Sequence, residues 1–419
     1  MSILVLTPSR LSGSVRAEAS KSVLHRAVIA AALADGTSFI APVSACDDIQ
    51  ATVKGVQTLG LAEIRTSGKG VSVRGGLRGE VSGVVDCMAS ASTLRFLLPL
   101  AAMRDGAAFT GESSLFERPM KPYAQALQQG GAQCQATEDG LSISGGLRAG
   151  GYSLPGNISS QFITGMLMTL PLLSGDSELH IDGPLESQPY VEMTLATLQR
   201  AGITIRRPHD RAFYIAGKQA YRPMETLAPG DWSQAAFFLA MGALGAEIAV
   251  KGLSRNDLQG DRIMLSLIRN MGAKAAWQGD ALCVNGAAQR PIEMDARQTP
   301  DLVPAVAAIA CGLRGTTRIR NVGRLRMKET DRVDTIADSL HAIGAAIDTR
   351  SDELIIHGSG TLRGGATSAY GDHRIAMMLA VASTLCENPV TLDDWPCVSK
   401  SSPTFWDDFR ALGGRADEQ

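Results

Sequence analysis

A cluster of small polar residues opens a long apolar run six times along this 419-residue chain, at intervals of about 70 residues. The openings fall near Ser22, Ser92, Ser160, Ser233, Asp301 and Asp372. Two glycine markers keep the same beat. One precedes a short strand-like stretch, at Gly36, Gly106, Gly175, Gly245 and Gly315, with Asn388-Pro389 in the sixth place. The other ends a helix-like stretch, at Gly60, Gly131, Gly202, Gly272, Gly344 and Gly413. Three markers in phase at a long period define a repeated supersecondary unit.

In the first unit, Ser20-Lys21-Ser22 leads into an apolar helix that runs to Ala34, with Ser as its N-cap. Thr37–Ala41 reads as a strand. Asp47-Asp48 is expected to cap a second, amphipathic helix with Ile49, Val53, Val56 and Leu59 at helical spacing. Two strands follow, over Ala62–Thr66 and Val71–Arg74. The first helix of each unit is apolar nearly all round and should be buried, whereas the second should face water on one side. Such a unit cannot bury its own core, so several must pack together. The sixth unit stops six residues after Gly413, before its two strands are expected to form, while the chain begins with an orphan strand, Ile3–Thr7, so the N-terminal segment is expected to complete the sixth unit. The predicted organisation is α/β, with six βαβαββ-type repeats, three per domain. Residues 20–228 form an inserted domain, residues 1–19 and 229–419 the second, and the crossings near 20 and 228 a hinge.

Hydrophobic content of 45% with 20% charged residues is that of a globular protein. A formal net charge of −2 gives no support for nucleic-acid or membrane binding driven by bulk charge. Seven scattered cysteines with no CxxC pair indicate reduced thiols, a cytoplasmic setting and no metal site. The start lacks a basic leader and a full apolar segment, so no signal peptide is expected. No apolar run reaches the length of a membrane helix.

Function resides in the helix starts. Buried helices whose N-termini point one way, towards an interdomain cleft, would present unpaired N–H groups and partial positive charge to phosphate or carboxylate. Charged and hydroxyl side chains recur at these places: Lys21, Ser22 and Arg26; Arg95; Ser159, Ser160 and Gln161; His373 and Arg374. Arg118, Ser187 with Tyr190, the group Arg324, Arg326, Lys328 and Arg332, and Lys400 hold corresponding places at the second helices. Any one of these is most simply a cap or a solvated cation; the recurrence of the set points to an anionic ligand. Asp301 and Glu329 interrupt the basic pattern. Each reads singly as a cap or ion-pair partner, yet acid–base chemistry on an anion needs such groups. Cations nearby would lower their pKa and burial would raise it.

The motifs Ser20-Lys21-Ser22 with Arg26, Ser92-Thr93-Leu94-Arg95, Glu117-Arg118-Pro119, Ser159-Ser160-Gln161-Phe162, Gln259-Gly260-Asp261, Arg326 to Arg332, Asp372-His373-Arg374 and Ser399-Lys400 closely resemble the 3-phosphoshikimate 1-carboxyvinyltransferase (EPSP synthase) family, in order and along essentially the whole chain. The resemblance implies the two-domain enolpyruvyl transferase fold. It also implies condensation of shikimate 3-phosphate with phosphoenolpyruvate by addition and elimination, within the shikimate pathway, without metal or organic cofactor. The implied enzyme is a cytoplasmic monomer with no nucleic-acid or membrane partner. By the same resemblance Asp301, Glu329, Lys21 and His373 are the catalytic set. Lys21, Ser22, Arg26, Ser159, Ser160, Gln161, Ser187, Asp301 and Lys328 would bind shikimate 3-phosphate; Lys21, Ala91, Arg118, Gln161, Arg332, Arg374 and Lys400 would bind phosphoenolpyruvate. Asp301 would take the 5-hydroxyl proton, and Glu329 would exchange a proton with the methylene carbon. The chain departs from most members at Ala91, where Gly is usual, at Ala89, and at Arg324, where some members have Asn. The departure at Ala91 leads to an expectation of tolerance to glyphosate, which occupies the phosphoenolpyruvate site. The UDP-N-acetylglucosamine enolpyruvyl transferase family is the nearest rival, but it opens with Lys-Asn and carries a Cys in the loop that here runs from Gly111 to Phe116 without one. A catalytically silent anion-binding scaffold is a third reading, against which the retained Asp301, Glu329, His373 and Lys400 argue.

Overall fold

Six four-stranded sheets and six buried helices recur among the described residues of the computed structural model, which are 3–68, 70–76, 79–104 and 106–419. The chain falls into two compact units, one of Ala19–Ala228 and one joining Met1–Glu18 to Pro229–Gln419. Of the predicted 1–19 segment, residues 1 and 2 lie outside the described set.

Each repeat is one sheet with two helices. The second repeat is representative: Val85–Asp86 leads, the buried helix Ala91–Met103 follows, and Gly106–Thr110 pairs parallel to the lead strand. After the outer helix Lys121–Gln129, a hairpin of Gln133–Thr137 and Gly140–Ser144 completes the sheet antiparallel to Gly106–Thr110. The order is βαβαββ, as the repeat pattern predicts.

At the two crossings the lead strands change places. Ser12–Arg16 precedes the first buried helix in sequence but pairs with Glu247–Lys251, in the fourth repeat. Glu225–Leu227 precedes the fourth buried helix but pairs with Gly36–Ala41, in the first. Each strand is thus laid down before the chain passes on, and no repeat lacks its edge strand.

The sixth repeat is completed by the N-terminal segment, as expected: Leu4–Thr7 is one of its hairpin strands, in antiparallel register Leu4↔Glu418, but Arg415–Glu418 forms the other, where no strand was expected after Gly413. Leu4–Thr7 also pairs with Val390–Asp393, so it is a central strand and buries Leu4 and Leu6 completely. The short C-terminal strand carries little hydrophobic alternation, which is why the pattern gave it no strand.

The buried helices owe their position to composition. Trp232–Ala243 is buried at every residue, and Val303–Cys311 is equally enclosed. Three such helices and their sheets make one apolar core in each unit. The glycine marker that ends the second helices has a steric cause: Gly60, Gly131, Gly202, Gly272, Gly344 and Gly413 all have positive φ, from 63° to 102°. An L side chain there would be strained, and at Gly60 a Cβ would lie 2.6 Å from the carbonyl oxygen of Gly79. Asp47-Asp48 does not cap its helix; Cys46 takes the N-cap place and both carboxylates sit in the first turn, Asp48 turned inwards and buried.

The central placement of Leu4–Thr7 is testable. Leu6→Ala should lower unfolding stability by about 2–5 kcal/mol in urea titration, as for a cavity in a closed core. A midpoint equal to that of the parent protein would show that the N-terminal strand is not part of the sheet.

Candidate active site

In the Ala19–Ala228 unit, polar side chains fasten the starts of two buried helices to each other and the start of the third to the outer helix Asp47–Thr58. Lys21, first residue of the Lys21–Leu33 helix, places Nζ 2.6 Å from Asp48 Oδ2. Both are largely enclosed, so the ammonium is aimed rather than free to wander. Arg95 donates through NH1 to Gln161 Oε1 at 2.8 Å and to Ser159 Oγ at 3.3 Å, and its guanidinium lies over Phe162, 5.0 Å from the ring centroid. Gln161 Nε2 in turn donates to Ser92 Oγ at 2.9 Å. Ser159 caps the Ser160–Thr169 helix by accepting from Gln161 N, and Ser90 caps the Ala91–Met103 helix by accepting from Thr93 N. Ala91 is therefore the first helical residue, 7% exposed.

Arg26 lies deeper. Its guanidinium donates to Thr194 Oγ1 (2.9 Å), Ser22 O (2.6 Å), Tyr190 O (3.0 Å) and Thr164 Oγ1 (3.4 Å), and it is 2% exposed. Burial lowers its pKa to about 10, which still leaves it charged. Most of its donor capacity serves to hold the Lys21–Leu33 helix against the Gln188–Arg200 helix. Ser187, at the N-cap of that second helix, is a buried non-glycine residue in the left-handed region (φ 54°, ψ 38°). Strain of this kind costs on the order of 1 kcal/mol and gathers at ligand sites. Arg118 follows the short helix Ser113–Glu117 and is 8% exposed.

In the other unit, one guanidinium gathers three carboxylates. Arg332, 1% exposed, donates through Nε and NH2 to Asp372 (2.7 and 3.1 Å), through NH2 to Glu329 Oε2 (2.6 Å) and through NH1 to Asp301 Oδ1 (3.1 Å). Lys328 Nζ is 3.2 Å from Asp301 Oδ1, Arg374 NH2 3.2 Å from Asp301 Oδ2, and Lys400 Nζ 3.7 Å from Glu329 Oε1. Four cations thus face three carboxylates. Asp301 does not cap a buried helix as its position suggested; it sits inside the 3₁₀ turn Pro300–Leu302, one turn ahead of Val303–Cys311. Asp372 is the cap of His373–Ser383, accepting from Arg374 N at 2.9 Å. His373 is buried beside it, Nδ1 3.8 Å from Asp372 Oδ1.

The electrostatic contest over Asp301 has a winner. Burial would raise its pKa, but Arg374, Lys328 and Arg332 together hold the carboxyl far below the usual range. Lys328 is lowered by its own burial, against the pull of Asp301. Asp261, 3% exposed in the turn Gly260–Ile263, goes the other way: burial first, then the Asp301 charge, push it up to about 6.

Residues 5–409 match the family model for EPSP synthase (3-phosphoshikimate 1-carboxyvinyltransferase). Over essentially the full length of both chains, the sequence is 42% identical to the 3-phosphoshikimate 1-carboxyvinyltransferase of Clostridium kluyveri, with 100% of this chain and 99% of that protein covered. The proteins of that name from Clostridium perfringens and Brachyspira hyodysenteriae are 40% and 39% identical, each with 99% of its own length covered. The chain belongs to the EPSP synthase family. Its fold is that of the EPSP synthase of Acinetobacter baumannii (TM-score 0.82 at 24% identity, both chains covered completely). The enolpyruvyl transferase NikO of Streptomyces tendae shares it too (TM-score 0.77, 19% identity, 100% and 98% covered).

Within this EPSP synthase family member, the structure brings Asp301, Lys328, Glu329, Arg332, Arg374 and Lys400 into one ion-pair cluster with His373 alongside. In the other unit it brings Ser92, Arg95, Ser159 and Gln161 into a hydrogen-bonded cluster. Sequence reasoning missed Asp48, read as a cap, and assigned no role to Arg95, Asp372 or Asp261. Arg95, Asp261 and Asp372 stand in the quoted motifs and were within reach. Asp48 lies 27 residues from Lys21, and no local pattern links the two.

The raised Asp261 carboxyl gives a signed pH effect. Its proton is bound more tightly folded than unfolded between about pH 4 and 6, so this group's contribution falls as pH rises through that window, by up to about 1.4 kcal/mol per unit. Asp261→Asn should therefore gain stability relative to the parent between pH 4 and pH 7 in paired urea titrations. A difference that is the same at both pH values would mean that the carboxyl is not perturbed.

Proposed function

We propose that this protein transfers the enolpyruvyl group of phosphoenolpyruvate to the 5-hydroxyl of shikimate 3-phosphate, releasing phosphate. Family membership supports the overall reaction, and the observation that carries the mechanism is the cation-saturated pair Asp301 and Glu329 around Arg332. The proposal needs neither a metal nor an organic cofactor, and takes the enzyme to act as a cytoplasmic monomer.

In the proposed scheme Ser159, Ser160 and Ser187 receive the shikimate phosphate, with Gln161 against the ring and Lys21, Ser22 and Lys328 nearby. Arg26 contributes to the carboxylate subsite mainly by holding Ser22 and Tyr190 in place, since its guanidinium is already engaged by four acceptors. Lys21, Arg118, Gln161, Arg332, Arg374 and Lys400 receive phosphoenolpyruvate. Asp301 at rest is too weak a base to take a proton from an alcohol. Donor binding changes that: its carboxylate and phosphate compete for Arg332, Arg374 and Lys400, and each cation withdrawn from Asp301 or Glu329 raises the carboxyl's proton affinity.

The bonds then balance. The 5-oxygen loses its proton to Asp301 and bonds to C2 of the enol phosphate, while C3 takes a proton from Glu329 and becomes a methyl group. In the second step Glu329 removes a proton from that methyl group, the C2–O bond to phosphate breaks, and the enol ether is left. His373, buried at the cluster's edge, and Lys21 complete the set that stabilises charge on the departing phosphate.

Phosphate release tests the reading directly. Turnover is expected with phosphoenolpyruvate and shikimate 3-phosphate and not with UDP-N-acetylglucosamine as acceptor; the reverse preference would assign the chain to the rival chemistry. Glu329→Gln and Asp301→Asn should each lower turnover by roughly 10²-fold or more while shikimate 3-phosphate still binds. Near-normal turnover in either variant would reduce that carboxylate to a structural role.

The same reading extends to glyphosate, a longer molecule than the donor whose place it takes. A methyl group at Ala91, where a hydrogen is usual, overpacks that end of the pocket by about 1–3 kcal/mol, or roughly 5- to 150-fold in inhibitor affinity. Ala91→Gly should lower the glyphosate inhibition constant much more than the KM for phosphoenolpyruvate. If neither constant moves, the methyl group does not face the pocket.

A further inference from the structure

Beneath Lys21, a line of polar side chains runs through the apolar core of the Ala19–Ala228 unit. His25, 1% exposed, places Nδ1 2.7 Å from Thr52 Oγ1. Thr52 Oγ1 is 2.7 Å from Thr93 Oγ1, which reaches Ser90 Oγ at 2.8 Å and, more weakly, the backbone oxygen of Asp48 at 3.4 Å. Thr52, Thr93 and Ser90 are fully enclosed. The line therefore spans three helices, Lys21–Leu33, Asp47–Thr58 and Ala91–Met103.

We propose that His25, Thr52 and Thr93 form a positioning relay that sets the first turn of the Ala91–Met103 helix against the Lys21–Asp48 pair, and so sets the enzyme's affinity for its enol phosphate donor. The proposal rests on the function argued above. Its physical basis is directional. Apolar side chains at these places would fill the space without the cost of desolvating hydroxyls, but they would tolerate sliding between helices. Short O–H···O and O–H···N contacts hold the helix starts to a few tenths of an ångström. Thr52 has one hydrogen and two partners, so the line is polarised one way or the other along its whole length.

The ends of the line explain which substrate should feel it. Ser90 caps the helix that begins with Ala91, and the next residue, Ser92, accepts from Gln161. Asp48 holds Lys21 through its carboxylate while its backbone oxygen meets Thr93. Lys21 and Ala91 are thus tied to one anchor, and Gln161 is joined to it through Ser92; the serines that receive only the shikimate phosphate, Ser159 and Ser160 at the start of Ser160–Thr169 and Ser187 at the start of Gln188–Arg200, stand on helices that His25, Thr52 and Thr93 do not bond. The other end stops at His25, whose Nε2 is buried with no hydrogen-bond partner among the described residues, against Phe96 at 6.1 Å between ring centroids. A line that ends in the core cannot carry protons to solvent, and this one is neutral, because burial lowers His25 to about 3 despite Asp48 close by, with Lys21 and Arg26 adding to the shift. Its role is geometric.

Thr52→Val removes both contacts at the centre of the relay while keeping its shape; Thr52→Ser keeps the hydroxyl and removes a methyl group. Steady-state kinetics with phosphoenolpyruvate and shikimate 3-phosphate, with calorimetric binding of shikimate 3-phosphate, separates the cases. Thr52→Val is expected to raise the KM for phosphoenolpyruvate about tenfold, the effect of one lost buried hydrogen bond, with kcat and shikimate 3-phosphate binding changed by less than about threefold. Thr52→Ser should restore the KM. An unchanged KM in Thr52→Val, equal losses for both substrates, or equal effects of Val and Ser would each overturn the relay. Absence of turnover in the parent protein would instead sink the enzymatic reading, and the proposal with it.

Discussion

The Arg332 guanidinium is the contact on which the chemistry of this fold depends. It is almost completely desolvated, and a lone cation in that place would be ruinous. It is tolerable because Asp372, Glu329 and Asp301 accept from it on three sides. Those carboxylates stand on three different elements: the cap of His373–Ser383, the turn before Arg332–Ala342 and the 3₁₀ turn before Val303–Cys311. One side chain therefore fixes the relative placement of three helix starts, and with them Lys328, Arg374 and Lys400. In the proposed function the same stable ion cluster would serve as the reactive one, and the anions that fill it would decide which it is. At rest the protein's own carboxylates fill it; an anionic donor would displace them.

The other unit reaches a similar end with weaker forces. Lys21 is aimed by Asp48, and the starts of Ala91–Met103 and Ser160–Thr169 are joined through Arg95, Gln161 and Ser92. The helices that carry these groups are apolar over most of their remaining length, so hydrogen-bonding side chains gather at their starts, with His25, Arg26 and Thr164 a turn further in. Rigid placement follows from burying everything but the end of the helix.

Much of this was legible before any coordinates. The repeat could be read because its punctuation is steric: a glycine that must take positive φ after each outer helix leaves a mark every 70 residues or so. The buried helices declared themselves by being apolar on all faces. The lead strands were expected in every repeat but could not be placed where they are short: Val85–Asp86 and Glu225–Leu227 are two and three residues long, too few to show alternation. Their exchange at the two crossings is a fact of pairing alone. In the site, motifs located the charged residues but not their engagements. Asp48 looked like a cap because it opens a helix, and only folding turns it towards Lys21. The motif marked Arg26 but not the four internal acceptors that engage it. The balance between burial and cations at Asp301 needed distances, and those place three cations within 3.2 Å.

In the proposed reaction Glu329, held in that cluster, gives a proton to the donor's methylene carbon and takes one back. Turnover in D2O reads this directly, since the transient methyl group then carries deuterium and loses one of three hydrogens. The account predicts deuterium in the vinylic CH2 of the product, detectable by NMR or mass spectrometry. Full turnover in D2O with a product whose vinylic carbon carries only protium would contradict it.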